Sequence, residues 1–182
     1  MILLIVFLLC VFVALGTGVL AGYSDIKGLT IDNIYSVVVI GAFVACYAFL
    51  LVFGREDVFF SPISHLLGAL IVFGVTAAMF AFGVLGAADS KLGAAFALWV
   101  GVPGLFSFLF YMTLFGGLLG VIALGLKKWQ PIKNPPEGSW VARVQGGESK
   151  VPYGVAIVFG ALASFVNIGY FSVDVLSSFL AG

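Results

Sequence analysis

Asp25 and Asp89 each stand where a long apolar run ends, and each is followed two residues later by a lysine, Lys27 and Lys91. A carboxylate at membrane depth is costly, roughly 2.5 to 3.5 kcal/mol at a helix centre on insertion scales, so a position that keeps one is a functional candidate. If two such carboxylates face each other across a helix bundle, they cannot both be ionised, and the pair holds one proton. The ionised member then takes a proton from water as the water attacks a peptide carbonyl. The protonated member donates to the developing oxyanion and afterwards to the leaving amine. This is aspartic proteolysis, and it needs neither a cofactor nor a metal.

The elements that must position the pair are membrane helices. The chain is 63% hydrophobic, 15% aromatic and 9% charged, with a mean hydropathy of +1.24. These values exclude a soluble globular domain. The apolar runs are continuous rather than alternating, which excludes an outer-membrane barrel. The expected fold is an all-α, polytopic membrane helix bundle with six predicted transmembrane helices, at Ile2–Tyr23, Ile34–Phe53, Ile63–Leu85, Lys91–Val102, Leu105–Leu126 and Val155–Leu180. The fourth is short, and Gly101-Val102-Pro103-Gly104 predicts a tight turn after it. The first run lacks a basic n-region and a clear cleavage site, so it reads as a retained helix rather than a signal peptide. Residues 1–182 are taken as a single membrane-embedded domain, with 127–150 as a basic cytoplasmic loop in which Trp129 and Trp140 rest at the interface.

Orientation follows from the cations. The odd-numbered loops contain Lys27, Lys91, Lys127, Lys128, Lys133, Arg143 and Lys150, and the even-numbered ones only Arg55. Positive loops stay in the cytoplasm, which puts both termini outside and Asp25 and Asp89 on the cytoplasmic face.

Bland roles compete for several of these residues. Asp32 and Asn33 suit the N-terminal cap of the second helix. Asp89 suits the cap of the fourth, a role compatible with chemistry because a cap also fixes the side chain. Asp25 has no such explanation, since a negative charge at a helix C-terminus is mildly disfavoured. Lys27 and Lys91 serve equally well as interfacial anchors or as partners of the aspartates. His65, the only histidine, belongs to the outer end of the third helix, away from both aspartates. Cys10 and Cys46 read as small apolar core residues. Asp174 reads as a solvated interfacial residue, and Asn167 as an interhelical hydrogen-bonding group.

Three segments together resemble the type IV prepilin peptidases. Asp25-x-Lys27-x-x-x-Ile31-x-Asn33 resembles their first catalytic-aspartate motif. Gly86-Ala87-Ala88-Asp89-Ser90-Lys91-Leu92 resembles the second, of GxGD type, and Pro152-Tyr153-Gly154-Val155-Ala156 resembles a segment of the short branch that serves Flp/Tad pili. Asp32 replaces a usual proline and Ala88 a usual second glycine. The paired zinc-binding CxxC motifs of the longer relatives are absent.

The resemblance implies an aspartic endopeptidase without methyltransferase activity, multi-pass in a bacterial or archaeal cytoplasmic membrane. It would cut the basic leader from pilin-like precursors at the cytoplasmic face. Asp25 and Asp89 would be catalytic, with Lys27, Gly86, Ala88, Lys91, Tyr153 and Gly154 near the substrate. The implied partners are a pilin-like precursor and the lipid bilayer, with no nucleic acid, and no cofactor or metal. Two rival readings stand beside it: a small proton- or cation-coupled transporter, and an inactive homologue acting in assembly, for which Ala88 is the support.

Overall fold

The computed structural model describes residues 1–180, and all its regular structure is helical. The helices are α1 (Ile2–Gly28), α2 (Asn33–Val52), α3 (Pro62–Ala81), α4 (Ala87–Trp129), α5 (Trp140–Gln145), α6 (Tyr153–Asn167) and α7 (Val173–Ser178), with a 3-10 turn at Glu56–Val58. Four of them, α1 to α4, are long and apolar enough to cross a membrane, and α6 is a shorter apolar helix. By length and composition four helices qualify as spans, beside the six separate spans expected from the sequence, and α4 holds two of those six.

The largest departure is α4, whose 43 residues merge the predicted fourth and fifth helices. Its backbone is broken at Gly101, where φ is +59° and ψ −179°. That region of backbone space is essentially closed to residues with a Cβ. The neighbours show what the break does. Before it, Gly93 lies against Val72, and Ala97 and Gly101 lie against Gly68, so this arm runs antiparallel to α3. After it, Gly104 meets Ser164, Phe108 meets Gly160 and Gly116 meets Tyr153, so the second arm runs antiparallel to α6. The chain doubles back at Gly101, at the turn predicted from its breaker residues.

Other boundaries shift for local reasons. Helix α1 continues past Tyr23 for more than a turn, carrying Asp25 and Lys27 inside it, and stops where Leu29 adopts the left-handed conformation at φ +51° and donates to the Asp25 carbonyl. Helix α3 ends at Ala81, ahead of the positive φ of Gly83. The predicted sixth helix divides into α6 and α7 because Gly169, at φ +87°, turns the chain between them.

In lipid there is little hydrophobic force between helices, so association depends on close packing and interhelical hydrogen bonds. Both are present. Gly18 of α1 admits the Phe96 ring, and the Gly160 Cα lies so near the Phe108 carbonyl that a Cβ would stand 2.7 Å from it. Trp99 Nε1 donates to the Val39 carbonyl at 2.9 Å, and Asn167 Nδ2 to Ser107 Oγ at 2.6 Å, the interhelical role expected for Asn167. Phe7, Phe43, Phe59, Trp99, Phe165 and Tyr170 form a buried aromatic knot in the half of the bundle away from Asp25. Cys46 is buried and Cys10 partly so, both as free thiols. Large apolar side chains such as Ile5, Leu9, Leu70 and Phe106 point outward, as a lipid solvent favours.

Candidate active site

Two elements carry the carboxylates. Asp25 lies in the last turn of α1, where it is 5% exposed. Asp89 lies in the first turn of α4, three residues after the capping Gly86. The expectation that Asp89 itself caps the helix is therefore corrected by one turn, because the helix starts at Ala87 rather than at Lys91. From that third position Asp89 Oδ2 reaches back and accepts the Gly86 N–H at 3.2 Å, satisfying one of the free donors of the helix start. Asp89 Oδ1 is buried and accepts no hydrogen bond. Asp25 Oδ2 accepts the Gly154 N–H at 2.8 Å, a buried contact from the start of α6.

Each carboxylate is thus pinned by the backbone of a glycine. The space beside Gly154 is tight, since a Cβ there would stand 2.8 Å from Ile31 Cδ1 and 3.1 Å from Asp25 Oδ2. The two carboxylates line the same two cavities. One, of about 670 Å³, is walled by Leu29, the 83–86 segment and Ser149 to Val151 with Tyr153. The other, of about 430 Å³, is walled by Leu29 to Asp32 and by Gly86 to Ala88.

The remaining sequence candidates divide. Gly86, Ala88 and Tyr153 line the cavities, and Gly154 lies beneath Asp25. Lys91 turns away from the pair, its Nζ donating to Asn33 Oδ1 at 2.9 Å, which ties the α4 start to the α2 start. Lys27 is exposed and lines neither cavity. Asp32 occupies the N-cap position of α2, as expected, but its side chain makes no capping hydrogen bond. His65 is away from the aspartates, deep among Phe43, Tyr47 and Phe59. Asp174 is exposed. Trp129 is exposed, whereas Trp140 is covered by protein. It is buried with Val144 against Ala123 of α4, and its Nε1 donates to the Lys150 carbonyl at 2.9 Å.

Sequence reasoning missed the residues that brace the first arm of α4. Thr76 Oγ1 donates to the Val72 carbonyl at 2.7 Å, which leaves Ser90 as the donor to Thr76 across 2.7 Å. That buried pair fixes the residue next to Asp89 against α3. Its one available signal was a threonine late in an otherwise apolar span.

The architecture is that of a polytopic helical membrane protein with a cleft holding two carboxylates at one end of the bundle. The model of the type IV leader peptidase family matches residues 3–121, a stretch that includes both aspartates, and the chain belongs to that family. No curated protein and no solved structure matches the chain. Family membership makes it a leader-peptidase-like membrane protein that acts on a protein substrate.

Proposed function

We propose that the chain is an aspartic endopeptidase that removes the leader from pilin-like precursors, with Asp25 and Asp89 as its catalytic pair. The observation that carries the reading is that two carboxylates, distant in sequence, line one cleft, Asp25 held by the Gly154 N–H from the start of α6 and Asp89 by the N–H of Gly86, which caps its own helix. Such pinning leaves a second oxygen on each for chemistry. The pair shares one proton, so one member serves as base toward water and the other as acid toward the carbonyl oxygen and then the leaving amine. Because the coupled carboxylates titrate as a unit, the roles belong to the pair.

The precursor's apolar helix, itself in the membrane, lies alongside the bundle and holds the scissile bond at the cleft, which supplies part of the catalytic positioning. Residues 1–182 act as one peptidase unit in a bacterial or archaeal cytoplasmic membrane, with the segment 127–150 and the cleft on the cytoplasmic side. Support for that sidedness comes from Lys150 on the cleft wall and Lys91 beside it, while Arg55 binds the Ser178 carbonyl beneath α7. Ala88, the argument for an inactive homologue, lies in ordinary helical backbone inside α4, a conformation that does not call for glycine.

Co-expression with a pilin-like precursor tests the proposal. Mass spectrometry of the product should show one cut between the basic leader and the apolar helix. A precursor left intact by the parent protein, or proton flux without cleavage, would return the transporter reading.

A further inference from the structure

The break in α4 leaves backbone groups without helical partners at the turn where its two arms meet. In an unbroken helix the Val102 N–H would donate to the Leu98 carbonyl, and the residue at 103 to the Trp99 carbonyl. The turn at Gly101 redirects the first donor, and Pro103 lacks the second. Side chains from two other elements take over all three loose ends. Ser64 Oγ accepts the Val102 N–H at 3.1 Å. His65 Nδ1 lies 2.7 Å from the Leu98 carbonyl, and since a carbonyl only accepts, Nδ1 carries the proton. The Tyr170 hydroxyl donates to the Trp99 carbonyl at 2.7 Å. His65 and Tyr170 are each 1% exposed, so leaving the Leu98 and Trp99 carbonyls unpaired beside them would be costly; His65 Nε2 itself is buried without a partner.

We infer that Ser64, His65 and Tyr170 are positioning residues for the peptidase reaction: together they set the geometry of the α4 break and thereby the place of Asp89 relative to Asp25. The break is a joint between two arms. The first carries Asp89 at its far end, and the second is packed along α6, whose first turn pins Asp25 through Gly154. Asp89 lies twelve residues from the joint, about 18 Å along the arm at 1.5 Å per residue. A small change of angle at Gly101 is therefore magnified at the carboxylate. A turn of about ten degrees over that length displaces Asp89 by roughly 3 Å, a distance at which positioning in catalysis is lost. Ser64 and His65 join the break to α3, and Tyr170 joins it to the α6–α7 turn, so the angle is held from both sides.

The inference rests on the aspartic-peptidase reading, and one of its tests does not need catalysis. With Cys10 and Cys46 replaced, cysteines at 25 and 89 are crosslinked by a short bifunctional reagent in membranes. The inference expects efficient crosslinking with the parental joint, at least about fivefold slower crosslinking with Tyr170→Phe, Ser64→Ala or His65→Phe, and recovery with His65→Asn, whose amide nitrogen can replace Nδ1. His65→Gln, which places its amide nearer the Nε2 position, should not recover it. In the intact dyad, the same variants should lower kcat about tenfold or more with KM within about twofold.

Unchanged crosslinking in the single-oxygen variants, or equal behaviour of His65→Asn and His65→Gln, would overturn the inference. So would loss of folding in Tyr170→Phe and Ser64→Ala, which would make the contacts props of the bundle as a whole. If crosslinking responds as expected but no variant, parent included, cleaves a precursor, the joint stands and the peptidase reading fails.

Discussion

At the residue scale, the proposed chemistry depends on two backbone donors as much as on two carboxylates. A carboxylate held on one oxygen by an N–H keeps the other oriented, and here both donors come from glycines whose side-chain space is taken. Gly154→Ala provides a sharp test. Its Cβ would stand 2.8 Å from Ile31 Cδ1 and 3.1 Å from Asp25 Oδ2, so the Ile31 and Asp25 side chains must give way, and a shift of Asp25 disturbs its bond to the residue 154 N–H. The expected outcome is roughly tenfold or greater loss of cleavage, with a stability cost of about 1–3 kcal/mol from overpacking. Precursor processing and thermal melting of the purified protein measure the two separately. Lys91→Ala should behave mildly, because its bond to Asn33 is exposed and such contacts contribute about 1 kcal/mol or less. Processing close to that of the parent is the expected result.

At the element scale, the bent α4 joins the two parts of the site. Gly101→Ala forces a Cβ into a backbone region nearly exclusive to glycine, at a cost of order 1–3 kcal/mol. Gly120 lies in the same helix with open space where a Cβ would go, so Gly120→Ala should stabilise by about 0.5–1 kcal/mol. Opposite shifts in melting temperature check both, and equal shifts would contradict the account of the break.

Much of this was legible in the chain. The breaker residues Gly101 to Gly104 announced the turn, and the residues around Asp25 and Asp89 announced the pair. The polar run Ser24 to Lys27 looked like loop but is helix, because one further turn lets α1 end on Leu29 and point Asp25 inward. The end of α6 was hidden by an apolar run that continues through Tyr170 and Phe171, where only Gly169 signals a turn. Ser64, His65 and Tyr170 were invisible as a set, since nothing in local pattern says which distant backbone groups the α4 break sets free. The burial of Trp140 likewise depends on the far end of α4, a contact no local window contains.

At the scale of the whole molecule, the bundle is polarised. Its aromatic knot and Arg55, which donates to the Ser178 carbonyl and lies over the Phe179 ring, close one end. The aspartate cleft opens at the other, among the lysines. Seven of the eight cations fall in the loops assigned to the cleft side, and orientation follows that bias. In intact cells lacking Cys10 and Cys46, a cysteine at 57 should react with a membrane-impermeant thiol reagent, while one at 133 should be protected until the membrane is opened. The reverse pattern would turn the cleft outward and remove the cytoplasmic face from the proposal.

The central claim is that Asp25 and Asp89 work as one catalytic unit. Cleavage of a purified precursor by the reconstituted protein, compared with Asp25→Asn, Asp89→Asn and the double variant, tests it most directly. Each single substitution should cost about 10²–10⁴-fold in rate, and the double should cost no more than the worse single, because members of one unit do not contribute additively. Parental cleavage in either single variant, or losses that multiply in the double, would contradict it.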